Sequence, residues 1–195
     1  MLDVAVIGGG IGGAHIKGYA ELPERFRVTT ICDLDQDLAQ KLAGQTGGRS
    51  TADIDDVLAD PDIDIVDICL PPAMHVPVAI RALEAGKHAI VEKPVAGSLV
   101  EADRLVAAET RSHGCVFPVF QYRYGRAFDQ LAALRTAGLL GRPIAAAIET
   151  HWNRGRDYYA NPWRGSWDHE LGGAVLSHAI HAHDLLTQHF VAVAE

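Results

Sequence analysis

The feature that most constrains this chain lies at its start. An apolar run, Leu2–Ile7, leads directly into Gly8-Gly9-Gly10-Ile11-Gly12-Gly13. Gly8, Gly10 and Gly13 fit G-x-G-x-x-G. In that pattern the first glycine permits the tight turn out of a strand, the second lets the backbone approach a pyrophosphate, and the third allows close packing of helix on strand. The phosphates then rest on the free N–H groups of a helix N-terminus, where the helix dipole favours anions. Glycine clusters also make ordinary turns, so the pattern needs an acid about 20 residues further on, where a ribose would lie. Asp33 stands 20 residues after Gly13, at the end of the next apolar run, Val28–Cys32. A carboxylate there repels a 2′-phosphate, and no Arg or Lys follows before Lys41. The expected cofactor is therefore NAD, with NADP disfavoured, held by Gly8, Gly10, Ile11, Gly12, Gly13 and Asp33.

The pattern that follows suits such a loop. Strand-length runs at Leu2–Ile7, Val28–Cys32, Ile63–Leu70 and His88–Val91 lack polar alternation, as strands of a parallel sheet covered on both faces do. Helix signatures separate them. Val76, Ile80 and Leu83 recur at helical spacing with Pro77 in the first turn and Gly86 at the end, and Ser98 with Glu101 forms a capping box before Ala102, Leu105 and Val106. Strand and helix in alternation predict an α/β fold, a doubly wound parallel sheet over residues 1–118. After Pro118 the texture changes. Phe128, Leu131 and Leu134 predict a helix ended by Gly138 and Gly141, Ile144–Trp152 reads as a strand, residues 153–173 as a loop, and a last helix runs from near Gly173 toward Phe190. All three tryptophans and six of the ten histidines fall in residues 151–195, which makes the second part, residues 119–195, the expected substrate side.

Composition narrows the setting. With 17 Lys plus Arg against 25 Asp plus Glu, the net charge of −8 repels phosphate backbones and anionic lipid, so neither nucleic acid nor a membrane surface is an expected partner. The three cysteines, Cys32, Cys69 and Cys115, contain no Cys-x-x-Cys and suit a reducing compartment rather than a disulfide framework. No stretch approaches the roughly 20 apolar residues of a membrane span, and no basic segment precedes the first strand. The expected location is the cytoplasm.

From Ile65 the sequence reads Ile-Val-Asp-Ile-Cys-Leu-Pro-Pro-Ala-Met-His75, and later Ala-Gly-Lys-His followed by Glu92-Lys93-Pro94. These segments, with Gly138–Gly141 and the stretch from Gly172-Gly173 through His181 and Asp184, resemble the glucose–fructose oxidoreductase, inositol dehydrogenase and rhizopine-catabolism (Gfo/Idh/MocA) family. The resemblance implies an N-terminal Rossmann domain, here 1–118, and a C-terminal α+β domain on a mainly antiparallel sheet, of which 119–195 is a part. It implies hydride transfer between nicotinamide and a hydroxyl carbon of a sugar, polyol or sugar acid, and family-type homo-oligomers through the second domain. It also places Lys93 beside the nicotinamide and the reacting oxygen, with a cis bond to Pro94, and adds Pro71, His75, Glu92 and Lys93 to the cofactor contacts. The family commonly carries a histidine three residues after the last glycine of its fingerprint, whereas His15 stands three after Gly12 and two after Gly13.

The chemistry of the individual residues agrees with these roles. Lys93 ends a strand run at the carboxyl edge of the sheet, where α/β folds bind ligands, and can offset negative charge on a substrate oxygen; the plain alternative is a surface lysine paired with Glu92. Ser177, His181 and Asp184 share one helix face at i, i+4, i+7. His181 is the expected general base, since an imidazole titrates near neutrality, and Asp184 one turn on would orient it. Many family members carry Asp where this chain has Ser177, which is expected to touch substrate. His178, His181 and His183 do not form a metal site, because on a helix His183 points about 200° from His181. Aromatic and cationic residues alternate in the 153–173 loop; Arg154, Tyr158, Trp163 and Arg164 either wall a substrate pocket or pack as core.

Two other functions compete with a dehydrogenase: a non-catalytic NAD-binding module, and a lyase or glycosidase that recycles its NAD. About 77 residues follow Pro118, few for a sheet domain that needs three or more strands. The expectation is a partial, C-terminally truncated family member whose second-domain catalysis and assembly are reduced.

Overall fold

The computed structural model describes residues 1–189. The chain divides into two compact units, Met1–Val119 and Phe120–Glu195. The first is a six-stranded sheet in the order β3-β2-β1-β4-β5-β6, every neighbouring pair parallel. Its strands are β1 (Leu2–Ile7), β2 (Phe26–Cys32), β3 (Arg49–Thr51), β4 (Ile65–Ile68), β5 (His88–Val91) and β6 (Val116–Pro118). The helices between them are α1 (Gly9–Ala20), α2 (Gln36–Thr46), α3 (Ile54–Ala59), α4 (His75–Glu84) and α5 (Leu99–Arg111). The four apolar runs all appear as strands; two further strands, the polar β3 (Arg-Ser-Thr) and the apolar but partly exposed β6 (Val-Phe-Pro), three residues each, were not anticipated.

Alternation along the strands divides the core between the two faces. Ala5, Ile7, Val66, Ile68 and Val91 pack against Val57, Val76, Val78, Leu83 and Leu105 from α3, α4 and α5. On the other face Val4, Val6, Ile31 and Ile65 meet Ile16 of α1 and Ala39, Leu42 and Ala43 of α2. Each fully buried Val, Leu or Ile contributes about 1.5–3 kcal/mol. The caps match their residues. Ser98 accepts from the Glu101 N–H at the start of α5, and Asp35 accepts from the Leu38 N–H at the start of α2.

Strand register sets the position of the site. Ile7 pairs with Cys32 and with Ile68, and Ile68 pairs with Val91. The residues that follow, Gly8, Asp33, Cys69–Leu70 and Glu92–Lys93, therefore emerge together at the carboxyl edge. Strand order reverses between β1 and β4, the crevice where doubly wound sheets take ligands.

The second unit has α6 (Arg126–Thr136), a four-residue α7 (Trp167–Glu170), a π-helical turn at Val175–Ala179, and α8 (Ile180–His189). Ile144–Trp152 is not a strand here: no regular element covers it, no strand beside it is available for pairing among the described residues, and Ile144 is 97% exposed. The single helix expected from Gly173 is instead the π turn followed by α8. Phe190, where that helix was expected to end, lies outside the described residues. No helix among those described is long and apolar enough to cross a membrane.

Candidate functional site

The glycine loop shows which glycine does what. Gly8 has φ +97°, and a Cβ there would meet the Cys69 carbonyl oxygen at 2.5 Å, so no larger residue fits. A Cβ on Gly10 would have nothing within 4 Å, which leaves the backbone open to a phosphate. The close helix–strand contact falls on Gly12, whose added Cβ would lie 2.7 Å from Val6 Cγ1; at Gly13 the nearest atom would be 3.7 Å away. The close-packing role thus falls to Gly12 rather than Gly13, three residues before His15. Ile11 is exposed beside it. By helix geometry the first-turn N–H groups of α1 have no partner within the helix. Asp33 Oδ2 accepts that of Gly9 at 2.6 Å, and its Oδ1 accepts the Asp35 N–H at 2.8 Å. The acid thus stands against the first turn of α1, fixed by backbone donors. A cradle that only glycine can form, an open second glycine and an adjacent carboxylate fit a dinucleotide.

Beneath the loop lies a polar cluster. Asp67, Cys69 and Glu92 alternate onto the sheet face covered by α1, which brings His15 and Tyr19 down onto them. His15 Nδ1 donates to Asp67 Oδ2 at 2.9 Å and lies 3.5 Å from Cys69 Sγ. Its Nε2 donates to Glu92 Oε1 at 3.2 Å, and the Tyr19 hydroxyl donates to Asp67 Oδ2 at 2.9 Å. Burial works against the imidazolium, but hydrogen bonds from Asp67, Cys69 and Glu92 outweigh it and raise His15 to about 12. Burial likewise pushes the Cys69 thiol up to about 12, against the pull of His15. For Glu92 burial favours the neutral acid, yet His15 and the Lys93 N–H hold its carboxyl below the usual range. His15, Asp67 and Cys69 offer ligand atoms within 4.8 Å of one another, a spacing that also suits a metal ion. Each already has a hydrogen-bond partner inside the cluster, which accounts for them as a closed network. Sequence reasoning missed this group. Its signal was Asp67, a carboxylate in the middle of an apolar run, and His15 at fixed spacing from Gly12.

The Lys93 turn is anchored on both sides. Glu92 Oε2 accepts the Lys93 N–H at 2.9 Å. The Lys93-Pro94 bond is cis, as the resemblance implied, and Lys93 is half-buried. Two cofactor expectations change here. His75 is buried, its ring nitrogens engaged by the Pro94 and Leu70 carbonyls, so it cannot touch a ligand directly. Glu92 is buried too and faces His15. Pro71 remains partly exposed at the start of the turn after β4.

His181 is buried, stacked on Tyr122 at 4.5 Å between ring centroids and met edge-on by Phe120. Asp184 is held by a residue from the start of the second unit. Both carboxylate oxygens are taken by Arg123, at 2.8 and 2.5 Å. Ser177, in the π turn, is buried with its hydroxyl donating to the Gly172 carbonyl at 3.2 Å. The other expected residues do converge. The Arg154 guanidinium lies over Trp152 and Tyr158, and that of Arg164 over Tyr158 and Trp163, at 4.0–4.8 Å. Arg164 also donates to the Tyr158 hydroxyl at 2.5 Å and to buried Glu170 at 3.2 Å. His178 joins them through the Tyr158 hydroxyl and Trp152. Glu170, Tyr122 and Arg123 had no distinguishing pattern in the sequence.

Residues 2–120 match the GFO/IDH/MocA oxidoreductase family, NAD-binding Rossmann fold, and residues 128–195 match the GFO/IDH/MocA C-terminal domain. Levoglucosan dehydrogenase of Pseudarthrobacter phenanthrenivorans is 32% identical over 94% of this chain and 50% of its own length. Inositol 2-dehydrogenase 3 of Saccharopolyspora erythraea is 32% identical over 73% of this chain and 43% of its own. Among solved structures, the WlbA dehydrogenase from Bordetella pertussis in complex with NADH and UDP-GlcNAcA aligns at TM-score 0.90 and 29% identity, over 96% of this chain and 55% of that one. The chain spans about half the length of the curated relatives it matches.

Proposed function

The chain belongs to the Gfo/Idh/MocA oxidoreductase family, and from that premise we propose that it serves an NAD-dependent oxidoreductase acting on a hydroxyl carbon of a sugar, polyol or sugar acid. The observation that carries this reading is the carboxyl edge of the first unit, where the Gly8–Gly10 cradle, Asp33 and Lys93 emerge side by side. When bound, NAD supplies the acceptor for the hydride. The glycine backbone and the N-terminus of α1 receive its pyrophosphate, and Asp33 accepts from its ribose hydroxyls while disfavouring a 2′-phosphate. Lys93 donates to the substrate hydroxyl oxygen and stabilises negative charge on it. His181 takes the hydroxyl proton as general base, with Tyr122 stacked on its ring. Arg154, Tyr158, Trp163 and Arg164 contribute aromatic faces and cations suited to a sugar or sugar acid. The relatives support this range: one is a levoglucosan dehydrogenase, one an inositol dehydrogenase, and one was solved with NADH and UDP-GlcNAcA.

The test is a panel of sugars, inositols and sugar acids incubated with the chain and NAD, following NADH absorbance. At least one substrate gives stoichiometric NADH, and Lys93→Met lowers that rate by about a hundredfold or more. Turnover with no net NADH would point to the recycling lyase or glycosidase. Hydride transfer unchanged in Lys93→Met would place the chemistry elsewhere.

A further inference from the structure

His75 opens α4 and is 1% exposed. Its Nδ1 lies 2.7 Å from the Pro94 carbonyl oxygen, and its Nε2 lies 2.7 Å from the Leu70 carbonyl oxygen. Both partners are peptide carbonyls, which accept and never donate. A neutral imidazole carries one N–H, so it bonds one carbonyl and turns a lone pair toward the other. Two contacts this short are both attractive only when the ring carries both protons. The carbonyls belong to different turns at the site's edge. Leu70 follows β4 and precedes Pro71; Pro94 follows β5 and is bonded to Lys93.

We propose that His75 is a positioning residue: with both ring nitrogens protonated it ties the turn bearing Lys93 to the turn bearing Pro71, and loss of one proton releases one of the two. This rests on the proposed function for what Lys93 does, but the tie itself is a property of the first unit. From the opposite face His15 fixes Glu92, whose second oxygen holds the Lys93 N–H. Both neighbours of Lys93 in the chain are thus anchored by histidines, Pro94 by the buried His75 and Glu92 by the partly buried His15. The charged groups acting on His75 are Glu92, which favours the cation, and Lys93, which opposes it. Burial is the largest influence and lowers its titration below the ordinary histidine value, although the two carbonyls resist. Both ties therefore hold in acid, and one is lost as pH rises through a midpoint below about 6.5.

The experiment is an NMR titration of the 15N-labelled chain between about pH 4 and about pH 8, reading the His75 ring nitrogens and the Leu70 and Lys93 amides. The expected result is two protonated ring nitrogens at low pH, loss of one proton on raising it, and movement of both amide signals with the same midpoint. A His75 ring that keeps one state throughout overturns the proposal, as do amide signals that stay flat while the ring titrates. In His75→Gln the side-chain amide offers a donor at one end and an acceptor at the other, and the coupled amide response disappears; its persistence would also overturn the proposal. NADH binding is read by fluorescence on the same wild-type samples. Its absence there counts against the proposed function, whereas the tie stands or falls on the titration alone.

Discussion

In the first unit the buried residues are mostly aliphatic, and the buried polar groups cluster mainly at one edge of the sheet. In the second, the described buried residues are Glu170, Ser177, Ala179 and His181, three of them polar. One unit is organised by apolar faces on a parallel sheet. The other is organised by ion pairs and by guanidinium groups over aromatic rings. The contrast teaches where each kind of function can rest. A cofactor cradle needs backbone placed to fractions of an ångström, as at Gly8 and Gly12, and a close-packed sheet supplies it. A surface for polar, hydroxylated ligands needs cations and aromatic faces, which the 152–178 region gathers.

The comparison breaks most readily at Asp67. It is 0% exposed and receives His15 and Tyr19, so Asp67→Ala leaves the imidazolium without its main counter-ion. The expected loss is about 3–5 kcal/mol in the unfolding free energy of the first unit, measured by urea titration. A loss below about 1 kcal/mol would mean that the network is incidental to the fold. A far smaller effect is expected from the Arg123–Asp184 pair, whose arginine side chain is 33% exposed. Asp184→Ala should cost about 1 kcal/mol or less and become neutral as salt is raised. A large, salt-independent loss would show that the second unit depends on burial after all.

How much was legible in the sequence follows the same division. In the first unit the four apolar runs announced their strands and the Ser98–Glu101 box announced α5, because a parallel sheet covered on both faces imposes a local pattern; the Asp35 and Asp53 caps of α2 and α3 went unread. The third glycine stayed open between Gly12 and Gly13, since spacing alone cannot show which Cβ would strike Val6. His75 was taken for a ligand contact because the chain lists neighbours, not depth. In the second unit Ile144–Trp152 had strand-like residues but no strand beside it for pairing among those described. The His181–Asp184 spacing suggested a couple, yet Arg123, 61 residues away, holds the acid. The clustering of Arg154, Tyr158, Trp163 and Arg164 was the one non-local arrangement that composition foreshadowed.

The central claim is that the carboxyl edge of the first unit is an NAD site governed by Asp33. The direct measurement is calorimetric titration of the full chain, and of its Asp33→Ser variant, with NADH and with NADPH. The account predicts saturable NADH binding at least about tenfold tighter than NADPH, a preference that narrows in the variant. Failure to bind NADH, or an equal affinity for both nucleotides in the unsubstituted chain, would contradict it.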